Sequence, residues 1–207
     1  MGAEVTQDIN AESVASARET DGRRRRGLDS RTRIVAAMLD IIREGEMSPS
    51  AEQVATRADV GLRTVFRHFA DMDSLYSEMT GVIEAQLMAL AGRPFLGADW
   101  KARVVEMVER RAEAFEKIAP FKHASEAIRH RSRFIQADSD RLVVILRQIL
   151  ELQLPQALID DPLKVEALDL LLSFEAWSRL HREQGLSSEQ IIAVLRGAVR
   201  RVLDQDD

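Results

Sequence analysis

Residues 50–75, SAEQVATRADVGLRTVFRHFADMDSL, decide how this chain folds. Ser50 followed three residues later by Gln53 is the spacing of a capping box, in which the two side chains satisfy otherwise unpaired amides at a helix start. Val54 and Ala58 lie four apart and therefore share one face of that helix. Ala58-Asp59-Val60-Gly61 interrupts the pattern as a tight turn. A second helix follows, with Arg63 and Arg67 on one side and Val65 and Phe69 on the other. One face is built to pack and the other is left cationic. Two short helices joined across a turn of about three or four residues that includes glycine make a helix-turn-helix, whose second helix enters the major groove of DNA.

Working outward, Ile34, Met38, Ile41 and Ile42 recur at helical spacing between Ser30 and Glu44 and predict a first helix that packs over the other two. Asp71 is placed to cap a fourth helix through Leu75, Met79, Val82, Ile83 and Leu87, ending before Gly92-Arg93-Pro94. Beyond lie a helix from Asp99 to Ile118 stopped by Pro120, a shorter one from Phe121 to about Arg131, and one from about Asp138 to Leu154. Asp161-Pro162 opens a helix that ends at Gly185, and Ser187 with Gln190 repeats the capping box for a last helix to Leu203. The expectation is an all-α chain of about nine helices: a flexible arm over 1–27, a DNA-binding domain over 28–80 and a larger helical bundle over 81–207.

Composition agrees with this organisation and excludes several classes. A hydrophobic content of 45% in 207 residues is enough for a real core, and no run alternates apolar and polar residues as a half-buried strand would. The absence of cysteine removes disulfide frameworks and thiolate metal sites. No apolar stretch approaches the roughly 20 residues of a membrane span, and the N-terminus has no signal-peptide core, so a cytoplasmic protein is expected. The net charge of −5 hides a segregation: residues 22–70 hold ten Arg against six acids, whereas 1–21 and 71–207 are both net acidic. A local positive patch attracts phosphate even in an acidic molecule, because charges more than about 10 Å away are largely screened at physiological salt.

With the three-helix unit, the arginine-bearing helix and the helical remainder in view, the chain resembles the TetR family of bacterial transcriptional regulators. The likeness is most specific over residues 34–75, where Val54-Ala55, Ala58-Asp59-Val60, Gly61 through Phe69, and Asp71 through Leu75 keep the family's spacing without a gap. The remainder matches in architecture alone. Asp59 stands where the family has glycine in a left-handed turn, Gly61 replaces a capping serine, Phe66 replaces a tyrosine and Met72 a lysine that reaches phosphate. The resemblance implies that Arg63 and Arg67 meet base edges or flanking phosphates, Thr64 and His68 phosphates, Leu62 and Phe66 the apolar parts of bases, and Ser50 a phosphate. Arginine pairs with guanine in bidentate fashion, which points to a G-rich half-site. Arg31 and Arg33, next to the run Arg23-Arg24-Arg25-Arg26, are placed to touch phosphate. The run itself reads either as a solvated tail or as an arm entering a minor groove.

The resemblance further implies a repressor that binds a palindromic operator as a homodimer through 162–184 and 187–203, and that a small-molecule effector releases. The stretch Ala167 to Leu180, apolar around most of its circumference, calls for such a cover. Trp100, Met107, Phe115, Phe121, Phe134, Phe174 and Trp177 are candidates to line an effector cavity, although side chains of this kind are more often simple core. His123, Glu126 and His130 share helical spacing but sit in an arginine-rich stretch that reads as a solvated face; no metal and no cofactor is expected. No phosphate loop, H-E-x-x-H or G-x-S-x-G motif points to an enzyme. The alternatives are a helical interaction module, or a small-molecule-binding enzyme without DNA binding.

Overall fold

N-cap chemistry written into the sequence starts most of the helices. The computed structural model describes residues 28–128 and 133–204. Helix α1 covers 28–43. It is followed by α2 (Ala51–Arg57), α3 (Leu62–His68), α4 (Met72–Ala91), α5 (Trp100–Ile128), α6 (Arg133–Glu151), α7 (Gln156–Ile159), α8 (Pro162–Leu171), α9 (Phe174–Ser178) and α10 (Ser188–Leu203). Between α9 and α10 a π-helical turn spans Arg179–Glu183. No strand occurs among the described residues. Both capping boxes form, Ser50 with Gln53 and Ser187 with Gln190. Asp71 accepts from Ser74 N at 2.8 Å, Asp99 from Ala102 N at 2.8 Å, and Asp161 from Leu163 N and Lys164 N with Pro162 in the first turn. Each such cap supplies a partner to amides that a helix start leaves unpaired, typically worth about 1 kcal/mol.

The chain divides into two compact units, one ending at Leu75 and one beginning at Tyr76. In the first, Ile34, Met38 and Ile42 of α1, Val54 of α2, Val65 of α3 and Leu75 are fully or almost fully buried. Each contributes about 1.5–3 kcal/mol on leaving water. The turn from α2 to α3 requires Asp59 at φ 51°, the left-handed region, which Asp tolerates better than most side chains. Gly61 is the N-cap of α3 at φ −71° and provides no side-chain hydrogen bond.

In the second unit α5 packs on α10, and α8 on α10. Three expectations from the sequence are corrected here. Pro120 does not stop a helix: α5 runs through it to Ile128. Proline removes one backbone hydrogen bond, but Ile118, Ala119, Phe121 and Ala124 around it are all buried, and packing on both sides holds the helix together. Next, α6 begins at Arg133, five residues before the expected start, and the four-residue α7 follows Pro155. Last, the single helix expected from Pro162 to Gly185 is three pieces. At the break Ser173 Oγ accepts from Ala176 N at 3.1 Å and donates to Leu170 O, while the Leu172 carbonyl accepts from Arg111 Nη1 at 2.6 Å. In an unbroken helix Ala176 N would have gone to Leu172 O. Here Ala176 N goes to the Ser173 cap, and a side chain 61 residues away supplies the partner of that carbonyl.

The left-handed residue gives a stability test. Asp59→Val should lose about 1–2 kcal/mol because a β-branched side chain is strained at positive φ, whereas Asp59→Gly should stay close to the parent. Urea unfolding of the three proteins measures this, and equal midpoints for the valine and parent forms would contradict it.

Candidate nucleic-acid interface and ligand cavity

Helix α3 separates its side chains into two populations. Val65 is 1% exposed and Phe69, its C-cap, 2%, while Phe66 is 49% and Leu62 37% exposed. Arg63 and Arg67 are exposed, and Thr64 is half-buried. Leu62, Arg63, Phe66 and Arg67 therefore form an outward surface with two cations beside two apolar groups. Ser50 is exposed, and its Oγ accepts from Gln53 N at 3.2 Å. Its hydroxyl proton is left for a donor role.

Two other nominated residues are committed to the unit's own structure. Arg31 donates from Nη1 to the His68 carbonyl at 2.8 Å, and its guanidinium lies 4.4 Å from the Phe69 ring centre. It fastens α1 to the end of α3, a structural role that sequence position did not reveal. His68 is half-buried, and its Nε2 is enclosed without a hydrogen-bond partner. Burial first, then the charges of Arg67 and Arg31, hold the His68 imidazole below its ordinary value, so it is neutral at physiological pH. Arg33 is exposed and pairs with Asp29 at 3.6 Å. The run Arg23 to Arg26 lies outside the described residues. A bidentate pair from Arg57 to Glu44, at 2.8 and 2.6 Å, braces α2 against the end of α1. Because both partners are on the surface, it holds orientation more than it stabilises.

The second unit contains a narrow cavity of about 60 Å³ among α4, α5 and α6. Its wall is almost wholly apolar, with Leu87 and Met88 of α4, Met107, Ala114 and Phe115 of α5, and Leu142, Ile145 and Ile149 of α6; Phe95 precedes α5. Two arginines also line it. Arg110 is fully engaged, with Glu106 at 2.6 Å, the carbonyls of Arg93 and Pro94, and the Phe95 ring 4.1 Å away. Arg111 is 5% exposed and donates to Leu172 O at 2.6 Å and Leu146 O at 2.5 Å. Burial lowers its guanidinium to about 10, against the pull of Asp169, so the charge persists at neutral pH.

Of the aromatic and methionine side chains nominated from sequence, Met107 and Phe115 line this cavity. Phe174 and Trp177 instead join Phe115 in an aromatic core, with ring centres 5.5 and 6.2 Å from Phe115, and Trp177 stacks on His181 at 5.0 Å. Phe121 is buried outside the cavity wall, and Trp100 is half-buried with Lys101 Nζ 5.8 Å from its ring. Phe134 falls in α6, but its side chain lies outside what is described, as does His130. His123 and Glu126 approach to 3.5 Å, and Arg182 meets the same His123 Nδ1 at 3.2 Å, a cation where a metal site would need a donor. The arginines and the leucine and isoleucine wall were missed because an aromatic search looks past them; the apolar stripe of Leu142, Ile145, Leu146 and Ile149 at helical spacing was the available signal.

Comparison with solved structures identifies this architecture. A transcriptional regulator from Rhodococcus sp. Rha1 matches at a TM-score of 0.61 and 18% identity, over 84% of this chain and 96% of that one. A TetR-family transcriptional regulator from Streptomyces coelicolor matches at 0.60 and 16% identity, over 86% and 90%. The multidrug binding protein EbrR, solved with imidazole, matches at 0.60 and 19% identity, over 81% and 88%. No protein-family model matches the chain, and no curated protein does. The chain thus has the all-α fold of TetR-family transcriptional regulators. No helix among the described residues is long and apolar enough to cross a membrane.

The depressed His68 fixes the sign of one pH effect. Its neutral form is favoured in the folded state, so the unfolded chain binds the extra proton, and the stability this group provides is present above about pH 6.5 and lost as pH falls below it. His68→Gln should flatten the acid side of the stability profile, measured as unfolding midpoints between pH 7.5 and 5.5. An unchanged slope would refute the assignment.

Proposed function

We propose that this chain is a DNA-binding transcriptional regulator of the TetR type, a repressor that binds a palindromic operator as a homodimer and is released by a small-molecule effector. The observation that carries the reading is the two-sided α3, with Val65 and Phe69 buried and Arg63, Arg67, Leu62 and Phe66 turned outward. A helix anchored this firmly behind and cationic in front has the geometry for the major groove, where arginine reads guanine O6 and N7 and apolar groups meet thymine methyls. Arg63 and Arg67 are assigned to base edges or flanking phosphates, Thr64 and Ser50 to phosphates, and Leu62 and Phe66 to apolar contact with bases. Catalysis is not part of the reading, and the site of action is the cytoplasm.

Dimerisation is supported by apolar side chains left outside the second unit's core. Leu163 and Leu170 of α8, seven residues apart and so on one face, are 83% and 66% exposed, and Val194 of α10 is 47% exposed. A two-fold partner over α8 and α10 would cover them. Two recognition helices about 34 Å apart would then fit successive major grooves. Effector control is assigned to the α4–α5–α6 cavity, since α4 continues directly from the DNA-binding unit.

Two measurements test this. The protein should bind DNA from upstream of its own gene with an affinity that falls steeply with salt, and Arg67→Ala or Arg63→Ala should either reduce the log–log salt slope by about 1, for a phosphate contact, or relax preference at one base pair by about 1–3 kcal/mol. Salt-insensitive binding that ignores both substitutions across a panel of operator variants would eliminate the reading. Replacing both Leu163 and Leu170 with Glu should give a monomer by analytical ultracentrifugation and weaken operator binding with it; a persistent dimer would show that a different face pairs.

A further inference from the structure

Near the end of α5, one ring atom of His123 stands between two rival partners. Its Nδ1 lies 3.2 Å from Arg182 Nη1 in the π-helical turn and 3.5 Å from Glu126 Oε2, three residues along its own helix. Arginine can only donate, and a neutral imidazole carries one proton. Nδ1 therefore accepts from Arg182, and the proton sits on Nε2, which is enclosed without a hydrogen-bond partner. In this state the Glu126 carboxylate faces a lone pair and gains no hydrogen bond from it. A second proton on the ring reverses the choice. It must go on Nδ1, where it sets donor against donor and like charge against like at Arg182, and finds a ready acceptor in Glu126.

The turn that Arg182 holds has little else to keep it in place. None of the residues Arg179–Glu183 is buried. The turn meets the core through Arg182 on His123 and through His181, stacked on Trp177 with ring centres 5.0 Å apart, while Arg179 and Glu183 pair with each other at 3.8 Å. A segment with so little buried surface opens at low cost, so one contact more or less changes how often it opens. It leads directly to the Ser187 cap of α10. The charges felt at the His123 ring are Arg182 and His181 from the turn and Glu126 on α5; Lys122, next in sequence, lies 5.9 Å from the Phe174 ring. Burial first, then Arg182, hold the imidazole below its ordinary 6.5, against the pull of Glu126. The neutral ring and its contact with Arg182 therefore prevail at pH 7.5 and are lost as pH falls below that ordinary value.

We propose that His123 is an acid-released latch: neutral, it accepts from Arg182 and holds the π-helical turn against α5; protonated, it gives its Nδ1–H to Glu126 and lets Arg182 go. Acidification thus acts on the stretch that enters α10.

The test uses the full chain between pH 7.5 and 5.5 with two readouts: imidazole nitrogen chemical shifts, assigned by His123→Gln, and hydrogen exchange over residues 179–185, corrected for its intrinsic pH dependence. At pH 7.5 the His123 ring should be the Nε2–H tautomer. On acidification exchange over 179–185 should rise about tenfold, as the loss of one charge-assisted hydrogen bond implies, with the same midpoint as the His123 titration. His123→Gln keeps an acceptor for Arg182 that does not titrate and should abolish the rise. Glu126→Gln removes the partner of the acid form and should move both midpoints to lower pH. If the His123→Gln protein does not fold, the tautomer and the Glu126→Gln shift decide. An Nδ1–H ring at pH 7.5, exchange that stays level while His123 titrates, or midpoints unmoved by Glu126→Gln would each overturn the proposal. A rise that survives His123→Gln and disappears in His181→Gln would overturn it in favour of the ring stacked on Trp177.

Discussion

Arg111 carries a positive charge into the interior of the larger unit and commits its terminal nitrogens to the carbonyls of Leu146 and Leu172, on elements far apart in sequence. Each contact satisfies a carbonyl that would otherwise have a helical partner or none, and leaving such a guanidinium without acceptors would cost about 3–5 kcal/mol. The consequences spread outward. Where Arg111 meets Leu172 O, α8 ends and Ser173 caps a new helix, in which Phe174 and Trp177 lie against Phe115. Because Leu146 O is taken, α6 is tied to α5 beside the cavity. One side chain thus links the α8–α9 break, α6 and part of a cavity wall.

The smaller unit rests on a simpler constraint, the burial of one side of α3. Val65 and Phe69 fix its rotation about its own axis, and Arg31 closes the far end by bonding the His68 carbonyl and lying over Phe69. Once rotation is fixed, the direction of Arg63 and Arg67 follows from 100° per residue. Their charges add to a positive segment in an acidic chain, and screening over about 10 Å keeps that segment distinct from the rest.

Which parts of this were legible beforehand depends on the range of the interactions involved. The caps at Ser50, Asp71, Asp99, Asp161 and Ser187 act within about three residues, so sequence spacing alone located five helix starts. The two faces of α3 follow from helical periodicity, while the left-handed Asp59 at φ 51° was implied by the family resemblance, which places a glycine there, and Asp tolerates that conformation. Pro120 misled because a local rule about helix interruption was outweighed by buried neighbours on both sides. Of the side chains nominated for a cavity, Met107 and Phe115 line this one while Phe174 and Trp177 pack in the aromatic core, because chemical type does not say which side of a helix faces a void.

The amino-acid order by itself determined that this chain is helical, where most of its helices begin, and which edge of the recognition helix is cationic, since capping, periodicity and charge are properties of neighbours along the chain. Only the tertiary structure decided where α8 breaks, which residues enclose the cavity, and that Arg111 is buried at its wall with its terminal nitrogens on two backbone carbonyls. Those outcomes depend on groups 35 and 61 residues apart meeting in one place, and such meetings are settled by packing, which linear spacing does not encode.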